Sequence, residues 1–288
     1  MAAETLPHLA PLPTVALPGG ETVPALGQGT WAMAEDPARR ASEIAALQRG
    51  IDLGMTLIDT AEMYANGGAE HLVGEAVAGR RDDVFIVSKV IPTHASRRGT
   101  VLACERSLKR LNTDVIDLYL LHWVGGEPVE DTVEAFEALV EDGKIRHWGV
   151  SNFDVSDCSA LVSLERGEAV ATNQVLYNPA RRGIEFDLIP WCREHGIPMM
   201  AYSPIEQGRI LRHPALSAVA ARYGATPAQV SLAWVLRQPG MIAIPKASTP
   251  AHVEANRAAA ALNLDAEDLA IIDRAFPPPT RARALEML

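Results

Sequence analysis

Seven short apolar runs recur along this chain, and they constrain its fold more than any other feature. The runs begin at Thr56, Val84, Ile116, Ile145, Ala171, Pro198 and Met241. Each has the composition of a buried strand, and segments of helical period separate consecutive runs. Strand and helix therefore alternate, which predicts a parallel sheet covered by helices.

The length of the chain favours one closed barrel. It has 288 residues, and a (β/α)8 barrel typically needs about 250. We expect an eighth strand near residues 261–264 to close the barrel and residues 14–26 to form a hairpin ahead of it. No interdomain linker is visible, so residues 1–288 are predicted to form a single α/β domain, a (β/α)8 TIM barrel with an N-terminal β-hairpin. An open doubly wound sheet is the competing architecture.

Composition and charge exclude several classes of protein. The net charge is −10 without a long basic run, which argues against nucleic acid or an anionic membrane as partner. Cys104, Cys158 and Cys192 are widely spaced and odd in number, as is typical of free thiols in a reducing compartment. Prolines interrupt residues 1–13, which lack a basic start, so neither a signal peptide nor a spanning helix is expected there. We therefore expect a cytoplasmic protein.

Polar side chains stand at the end of each apolar run. Alone, each has an ordinary interpretation as a loop cap, a surface amine or a satisfied core residue. Because active sites of barrels are built at the carboxyl ends of the strands, their recurrence at seven strand ends predicts a common site. These residues are Asp59, Ser88, Lys89, His122, Trp123, Ser151, Asn152, Gln174, Tyr202, Ser203 and Lys246.

Four residues at this rim make chemical sense as a unit. Lys89 can act as an ammonium that lowers the pKa of the Tyr64 phenol, while Asp59 pairs with Lys89 and offsets the cost of burying its charge. His122 would orient a substrate carbonyl while Tyr64 donates a proton, a contribution of roughly 10²- to 10⁴-fold. None of the eight histidines forms HxH or HExxH, so no metal site is predicted. The chain itself contains no reductant.

Seven motifs carry a resemblance to a known family. In chain order they are DTAEMY, VSKV, LLHW, GVSN, TNQVLY, AYSP and IPKAS. With this order and spacing, residues 14–276 resemble the aldo-keto reductase superfamily, most closely the small bacterial reductases that accept methylglyoxal and related aldehydes. The resemblance implies a (β/α)8 barrel, NADPH bound without a Rossmann fold, a catalytic tetrad of Asp59, Tyr64, Lys89 and His122 with Tyr64 as the acid, and a monomer.

The resemblance also implies roles for the other strand ends. Ser151, Asn152 and Gln174 would bind the nicotinamide carboxamide, and Tyr202 would stack on its ring. Ser203, Ile205 and Gln207 would lie along the pyrophosphate. Independently of the family, Lys246 followed by a helix that starts at Thr249 and Pro250 predicts an anion site, because helix N-termini favour phosphate. We expect the adenosine 2′-phosphate there.

The adenosine end departs from the family pattern. Ala247 follows the lysine where many relatives have serine, and Ser248 comes one position later. His252 replaces the usual adenine-stacking arginine, whereas Asn256 is kept. Ser248, His252 and Asn256 are assigned to this end. Histidine is not always charged, so NADPH is favoured but NADH remains possible.

A glycine pattern near the N-terminus matches a dinucleotide-binding fingerprint without its context. Residues 27–32 read GQGTWA, but no long buried strand precedes them and Pro37 separates them from the next helix. The resemblance makes this segment the loop before the first barrel strand, with Trp31 and Met33 lining the substrate pocket together with Trp123. An ordinary core aromatic is the alternative for Trp31.

These observations predict NADPH-dependent reduction of small aldehydes, methylglyoxal-like α-oxo-aldehydes or ketones to alcohols. Two other functions stay open. A lysine at a barrel strand end also serves Schiff-base lyases, which would use Lys89. A non-catalytic redox sensor that binds NADPH is the other alternative.

Overall fold

The computed structural model describes residues 11–288, and ten strands form its sheets. The sequence predicts neither a signal peptide nor a spanning helix at the N-terminus. Most of that segment, residues 1–10, lies outside the described residues. The strands are β1 Thr14–Ala16, β2 Thr22–Pro24, β3 Gln28–Gly29, β4 Leu57–Asp59, β5 Phe85–Val90, β6 Ile116–Leu121, β7 Ile145–Ser151, β8 Asn173–Leu176, β9 Met199–Tyr202 and β10 Met241–Ala243.

Strands β3 to β10 form one parallel barrel. Spatial neighbours follow chain order from β3 to β10, and every pair is parallel. Parallel bridges from Leu26 to Ala243 and from Gly29 to Lys246 join the first strand to the last. The predicted (β/α)8 barrel is therefore confirmed, and the open doubly wound sheet is excluded.

Ten α-helices accompany the strands. One helix follows each of β3 to β8 and β10, while α7 and α8 both follow β9 and α10 comes last. The helices are α1 Arg40–Asp52, α2 Gly68–Ala76, α3 Arg97–Leu111, α4 Val129–Glu141, α5 Val155–Val162, α6 Leu188–Glu194, α7 Pro214–Tyr223, α8 Pro227–Leu236, α9 Pro250–Ala258 and α10 Ala266–Ala275.

The strand that closes the barrel is β3, so the prediction of an eighth strand at residues 261–264 is wrong. The 3-10 helix Ala259–Ala261 ends at the first of those residues, and residues 262–264 belong to no strand. The segment predicted to be a loop before the barrel is its first strand. A Cβ on Gly29 would lie 2.7 Å from the carbonyl oxygen of Ile244, so the close approach of the two end strands requires glycine. The sequence feature that characterises this strand is a glycine and not an apolar run.

The hairpin β1–β2 is antiparallel, as predicted, and it covers the end of the barrel where the strands begin. Val15 and Val23 belong to the same buried cluster as Leu57 and Phe85, the first residues of β4 and β5. Glu21 Oε2 contacts His147 Nε2 near the start of β7 at 2.8 Å. The opposite end of the barrel, where the strands finish, is left for the site.

Two further observations concern the whole described chain. Within residues 11–288, none of the helices is both long enough and apolar enough to span a membrane. Cys104, Cys158 and Cys192 are buried and carry free thiols.

Candidate active site

A cavity of about 700 Å³ opens at the carboxyl ends of the barrel strands. Most of the side chains predicted for the site line its wall. These are Trp31, Asp59, Tyr64, His122, Trp123, Ser151, Asn152, Gln174, Tyr202, Ser203, Ile205, Gln207 and Lys246. The barrel thus brings together residues that are far apart in the sequence.

Asp59 and Lys89 form a buried ion pair at the base of this cavity. Lys89 Nζ lies 2.7 Å from Asp59 Oδ1 and 2.8 Å from Oδ2, and its side chain is 0% exposed. It also donates to the carbonyl oxygen of Thr60 at 2.8 Å. Parallel pairing of β4 with β5 sets the two side chains next to each other.

The pKa values of the pair reflect two opposed effects. Burial raises the pKa of Asp59 and lowers the pKa of Lys89, while the attraction and hydrogen bonds between them oppose both changes. The pair is neutral overall whether the shared proton sits on nitrogen or oxygen. Lys89 can therefore be held in the barrel without a net buried charge.

Tyr64 stands above this pair on the loop between β4 and α2. Lys89 Nζ donates to its hydroxyl oxygen at 3.3 Å. The pKa of Tyr64 is raised well above its ordinary value, first by burial and then by the negative charge of Asp59 and by Tyr202. The prediction that Lys89 lowers this pKa is wrong for this structure, because Asp59 compensates the ammonium and burial dominates. Tyr64 is a protonated phenol at neutral pH.

The loop after Tyr64 adopts an unusual backbone. Ala65, Asn66 and Gly67 have positive φ values of 49°, 51° and 86°. A Cβ on Gly67 would lie 2.5 Å from Cδ of Arg110, so the loop packs tightly on this side chain. Arg110 in turn donates to the buried carboxylate of Glu70 at 2.5 Å. These contacts hold the strained turn, and hence Tyr64, in place.

His122 follows β6 and faces Tyr64 across the cavity. Its ring centroid lies 5.8 Å from that of Tyr64. Burial and the nearby Lys89 charge lower the pKa of His122 to about 2, so the ring is neutral at physiological pH. Asn152 Nδ2 donates to the backbone oxygen of His122 at 3.0 Å. A neutral imidazole can donate one hydrogen bond into the cavity.

Aromatic side chains form the outer wall. The centroid of Trp31 lies 5.0 Å from that of Tyr64 in an edge-to-face arrangement, and Trp31 is 49% exposed, so it is not a core aromatic. Trp123 packs on His122 with centroids 4.9 Å apart. Met33 does not line the cavity as expected, since it is buried in the main core, whereas Met63 does.

The opposite wall carries hydrogen-bonding side chains from β7, β8 and β9. Ser151 Oγ donates to the backbone oxygen of Gln174 at 2.9 Å, and the Tyr202 hydroxyl donates to Asn152 Oδ1 at 2.9 Å. Gln174 Nε2 donates to Asp59 Oδ1 at 2.7 Å. This wall is therefore hydrogen-bonded to the buried ion pair.

The residues predicted for the adenosine end lie at and beside the rim of the cavity. Lys246 lines the cavity, and the Thr249 side chain caps helix α9. The Ser248 hydroxyl is buried and has no hydrogen-bond partner among the described residues. His252 is exposed and Asn256 is buried, and neither they nor Ser248 lines the cavity.

Sequence reasoning missed several wall residues. Met63 lies inside a motif that was recognised, but nothing in the pattern distinguished it from Met33. Met287 and Leu288 line the cavity from the C-terminal end of the chain; the family resemblance implies that this end closes the pocket, but no periodicity or motif singles out these two residues. Their position depends on long-range contacts.

Comparison with known proteins shows the class to which this barrel and site belong: the chain is an oxidoreductase enzyme. It belongs to the Aldo/keto reductase family, whose model matches residues 25–276. The family recognised from the seven motifs is therefore confirmed.

Relatives with known names cover nearly the whole chain. Methylglyoxal reductase YeaE of Escherichia coli (strain K12) is 52% identical over 275 residues, which span 94% of this chain and 97% of that protein. Glyoxal reductase of Bacillus subtilis (strain 168) is 34% identical over 260 residues, covering 90% of this chain and 91% of that protein.

A solved structure is equally similar. An aldo/keto reductase from Klebsiella pneumoniae in complex with NADP and acetate has a TM-score of 0.93 and 53% identity. The match covers 96% of this chain and 99% of that one. The predicted resemblance to small bacterial methylglyoxal reductases is thus confirmed.

Proposed function

We propose that this enzyme reduces small aldehydes, α-oxo-aldehydes such as methylglyoxal, or ketones to alcohols with NADPH, and that Tyr64 gives the proton. One observation carries the proposal. The Tyr64 hydroxyl lines the cavity directly above the buried Lys89–Asp59 pair, in a chain of the Aldo/keto reductase family. The relatives named as methylglyoxal and glyoxal reductases support the substrate class.

The residues present fit NADPH. The cavity has a volume of about 700 Å³, and its wall offers Ser151 and Asn152 as hydrogen-bonding groups beside the Tyr202 ring. At its rim, Lys246 and the start of α9 offer positive charge and free N–H groups, and the unpartnered Ser248 hydroxyl can donate to a phosphate oxygen. NADPH, when bound, supplies the hydride. NADP and NADPH are bound by the solved Klebsiella pneumoniae relatives.

Further residues would hold the rest of the cofactor. In this proposal Gln174 contacts the carboxamide through its free Oε1, and Ser203, Ile205 and Gln207 border the pyrophosphate. His252 and Asn256 would lie near the adenosine. Because a histidine at position 252 cannot bind a phosphate in the bidentate geometry of an arginine, the proposal allows weaker use of NADH.

Proton transfer follows from the buried residues. The raised pKa of Tyr64 keeps its phenol protonated at neutral pH, so a proton is available when a carbonyl oxygen gains negative charge. Lys89 lies 3.3 Å from the phenol oxygen and stabilises the phenolate left behind. Neutral His122 donates a hydrogen bond to the same carbonyl oxygen and orients it.

The shape of the cavity favours small substrates. Trp31 and Trp123 present apolar faces beside the proton donor, and Met63 adds a flexible apolar wall. An aldehyde with a short apolar or oxo-substituted chain can place its carbonyl between Tyr64 and His122. Among the described residues, the cavity lining beside Trp31 and Trp123 includes no charged side chain that would select a longer ionic substrate.

The test is NADPH oxidation with methylglyoxal and with a nitrobenzaldehyde. In Tyr64→Phe we expect a loss of roughly 10²- to 10⁴-fold in kcat, with NADPH affinity retained, because only the hydroxyl group that carries the proton is removed. Tyr119→Phe is the matched control, since this tyrosine is buried in the core and does not line the cavity. Retained activity in Tyr64→Phe would contradict the assignment of the acid.

Two alternatives predict different results. A Schiff-base lyase would need Lys89 as nucleophile, but its Nζ is fully buried and bonded to Asp59, Thr60 and Tyr64. Borohydride trapping of a carbonyl on Lys89 without added nicotinamide would favour it. Tight NADPH binding with negligible turnover over a broad aldehyde panel would instead favour a redox sensor.

The proposal includes a monomer located in the cytoplasm. Three free thiols support a reducing compartment. Size-exclusion chromatography with light scattering checks the first point, and fractionation of expressing cells checks the second.

A further inference from the structure

Two segments meet over the cavity. The first, here called the cofactor loop, is residues 203–208 after β9, and Ser203, Ile205 and Gln207 lie in the wall. The second, the tail, is residues 277–288, from which Met287 and Leu288 line the same cavity. Burial raises the pKa of Tyr202 to about 12, and the nearby backbone of Leu288 acts in the opposite direction, which places the end of the tail beside the ring at the end of β9.

One guanidinium joins these segments. Arg181 Nε and Nη2 donate to Glu206 Oε1 in the cofactor loop at 3.1 and 3.0 Å. Its Nη1 donates to Glu286 Oε1 in the tail at 2.6 Å. The planar fork of an arginine can hold two carboxylates at once, which a lysine ammonium cannot do in a fixed geometry. Glu286 immediately precedes the two tail residues in the cavity wall.

The side chain of Glu206 is buried within the loop and is not exposed on its surface. Its side chain is 4% exposed, although its backbone φ is +51°. Asn178 donates to its Oε2 at 2.8 Å, and Arg209 donates to its Oε1 at 2.9 Å. Burial alone would raise the pKa of Glu206, but the hydrogen bonds from Arg181, Asn178 and Arg209 lower it overall. The carboxylate is ionised and depends on these partners.

The beginning of the tail is fixed separately. Arg182 Nη1 donates to Asp273 Oδ1 at 2.7 Å and to the backbone oxygen of Phe276 at 2.6 Å. Arg182 is 7% exposed, so this anchor is buried where α10 ends. Loss of the Arg181 contact therefore leaves the start of the tail in place and Leu285 packed against the main core, but removes the ion pair that holds Glu286.

We propose that Arg181 is a positioning residue that couples the cofactor loop to the tail. A cofactor held by the loop fixes Glu206, Glu206 fixes the Arg181 guanidinium, and Arg181 fixes Glu286 and hence Met287 and Leu288 at the substrate end of the cavity. This inference rests on the proposed function, because it takes NADPH as the ligand of the loop. It predicts that cofactor binding orders the tail.

The test is hydrogen–deuterium exchange of peptides that cover residues 277–288, measured with and without saturating NADPH. In the wild-type enzyme we expect NADPH to slow exchange in the tail by about two- to fivefold, the range for a partly exposed ion pair. Arg181→Met should abolish this slowing, although NADPH still binds. Glu286→Gln should do the same and serves if Arg181→Met does not fold.

Arg209→Met is the matched control. Arg209 bonds the same Glu206 oxygen but has no contact with Glu286, so NADPH should still slow exchange in the tail of this variant. In steady-state assays, Arg181→Met and Glu286→Gln should raise KM for methylglyoxal by about two- to fivefold with little change in kcat, whereas Arg209→Met should not.

The outcomes separate this inference from the proposed function. Equal slowing of tail exchange in Arg181→Met and the wild type would overturn the coupling, because direct contact between NADPH and the tail would then explain the protection. Unchanged tail exchange in the wild type would also overturn it, provided that quenching of tryptophan fluorescence shows NADPH bound. Absence of any NADPH binding or oxidation would instead refute the proposed function.

Discussion

Replacement of Asp59 by asparagine tests the logic of the buried pair most directly. The Asp59 carboxylate accepts both short contacts from Lys89 Nζ, at 2.7 and 2.8 Å, and one from Gln174 Nε2 at 2.7 Å. Asparagine has one acceptor oxygen and one NH2 group at the same positions. In either orientation the NH2 group faces the Lys89 ammonium as a second donor, and at the Oδ1 position it also faces the Gln174 amide.

The expected loss of stability in Asp59→Asn follows from the burial of Lys89. Lys89 is 0% exposed, so the variant leaves an ammonium in the barrel without a counter-charge. Removal of one partner from a buried ion pair typically costs about 3–5 kcal/mol in the free energy of unfolding. For a protein of this length, that corresponds to a fall in Tm of roughly 10 °C. Activity should fall as well, because Asp59 no longer holds the Lys89 ammonium in position beneath the Tyr64 hydroxyl.

Urea unfolding at pH 7 measures the loss of stability, and a double variant tests whether the buried Lys89 charge causes it. In Asp59→Asn combined with Lys89→Met, the uncompensated charge is gone, so about 1–3 kcal/mol of stability should return relative to Asp59→Asn alone. Activity should not return. A double variant that is less stable than Asp59→Asn would refute the reasoning.

Asp117→Asn is the matched control for activity. Asp117 is also buried, and it accepts hydrogen bonds from Arg81 and from the backbone of Ile86 near the start of β6. We expect this variant to lose about 1–3 kcal/mol of stability while kcat/KM is unchanged, since these contacts lie far along β6 from the site. An equal loss of kcat/KM in both variants would show that the effect of Asp59→Asn is only structural.

Three further predictions concern other parts of the fold. His122 has a pKa of about 2 in the folded state, so below about pH 6.5 the unfolded state binds one more proton than the folded state. The free energy of unfolding should therefore fall by up to about 1.4 kcal/mol for each pH unit below that value. His122→Asn should flatten this slope in urea titrations. Ser248→Ala should weaken NADPH binding by about tenfold and leave NADH binding unchanged in fluorescence titrations; equal weakening would contradict a 2′-phosphate contact. Gly29→Ala should cost about 1–3 kcal/mol in thermal unfolding because its Cβ meets the Ile244 carbonyl, whereas Gly126→Ala has open space and should be neutral.

Much of the barrel could be predicted from the sequence because most of its strands are apolar runs. Strands β4 to β10 each carry buried aliphatic residues, and their ends carry the polar side chains that the barrel collects. Strand β3 was not predicted because its two residues, Gln28 and Gly29, have no such pattern. It forms because glycine lets the backbone of Gly29 approach Ile244, a requirement that only the partner strand reveals.

Local backbone conformation explains the error at Met33. Ala32 and Ala34 on either side of it have positive φ values of 58° and 62°. These two left-handed residues turn the chain so that Met33 enters the main core while Trp31 stays at the cavity. Alanine is an uncommon residue for this conformation, so the residue types gave no warning. Met63 occupies the wall instead.

The pKa of Tyr64 could not be predicted from residue identity either. Placing a lysine beside a phenol suggests a lowered pKa, but the sign depends on how deeply the phenol is buried and on what else compensates the lysine. Asp59 lies closer to Lys89 than Tyr64 does, at 2.7 Å against 3.3 Å, so the ammonium is largely compensated by the carboxylate. Burial then raises the pKa of Tyr64.

The two halves of the site form one hydrogen-bonded network, which changes how its variants should be interpreted. Both Gln174 Nε2 hydrogens are used, one toward Asp59 Oδ1 and one toward the sulfur of Met200, so only its Oε1 can accept a hydrogen bond from a ligand. The bond to Asp59 also lowers the pKa of that carboxyl against the larger effect of burial. A group that binds at Gln174 therefore acts on the pair that supports Tyr64. For this reason, a variant of Gln174 should be assayed for turnover as well as for ligand affinity, since it also removes a hydrogen bond from Asp59.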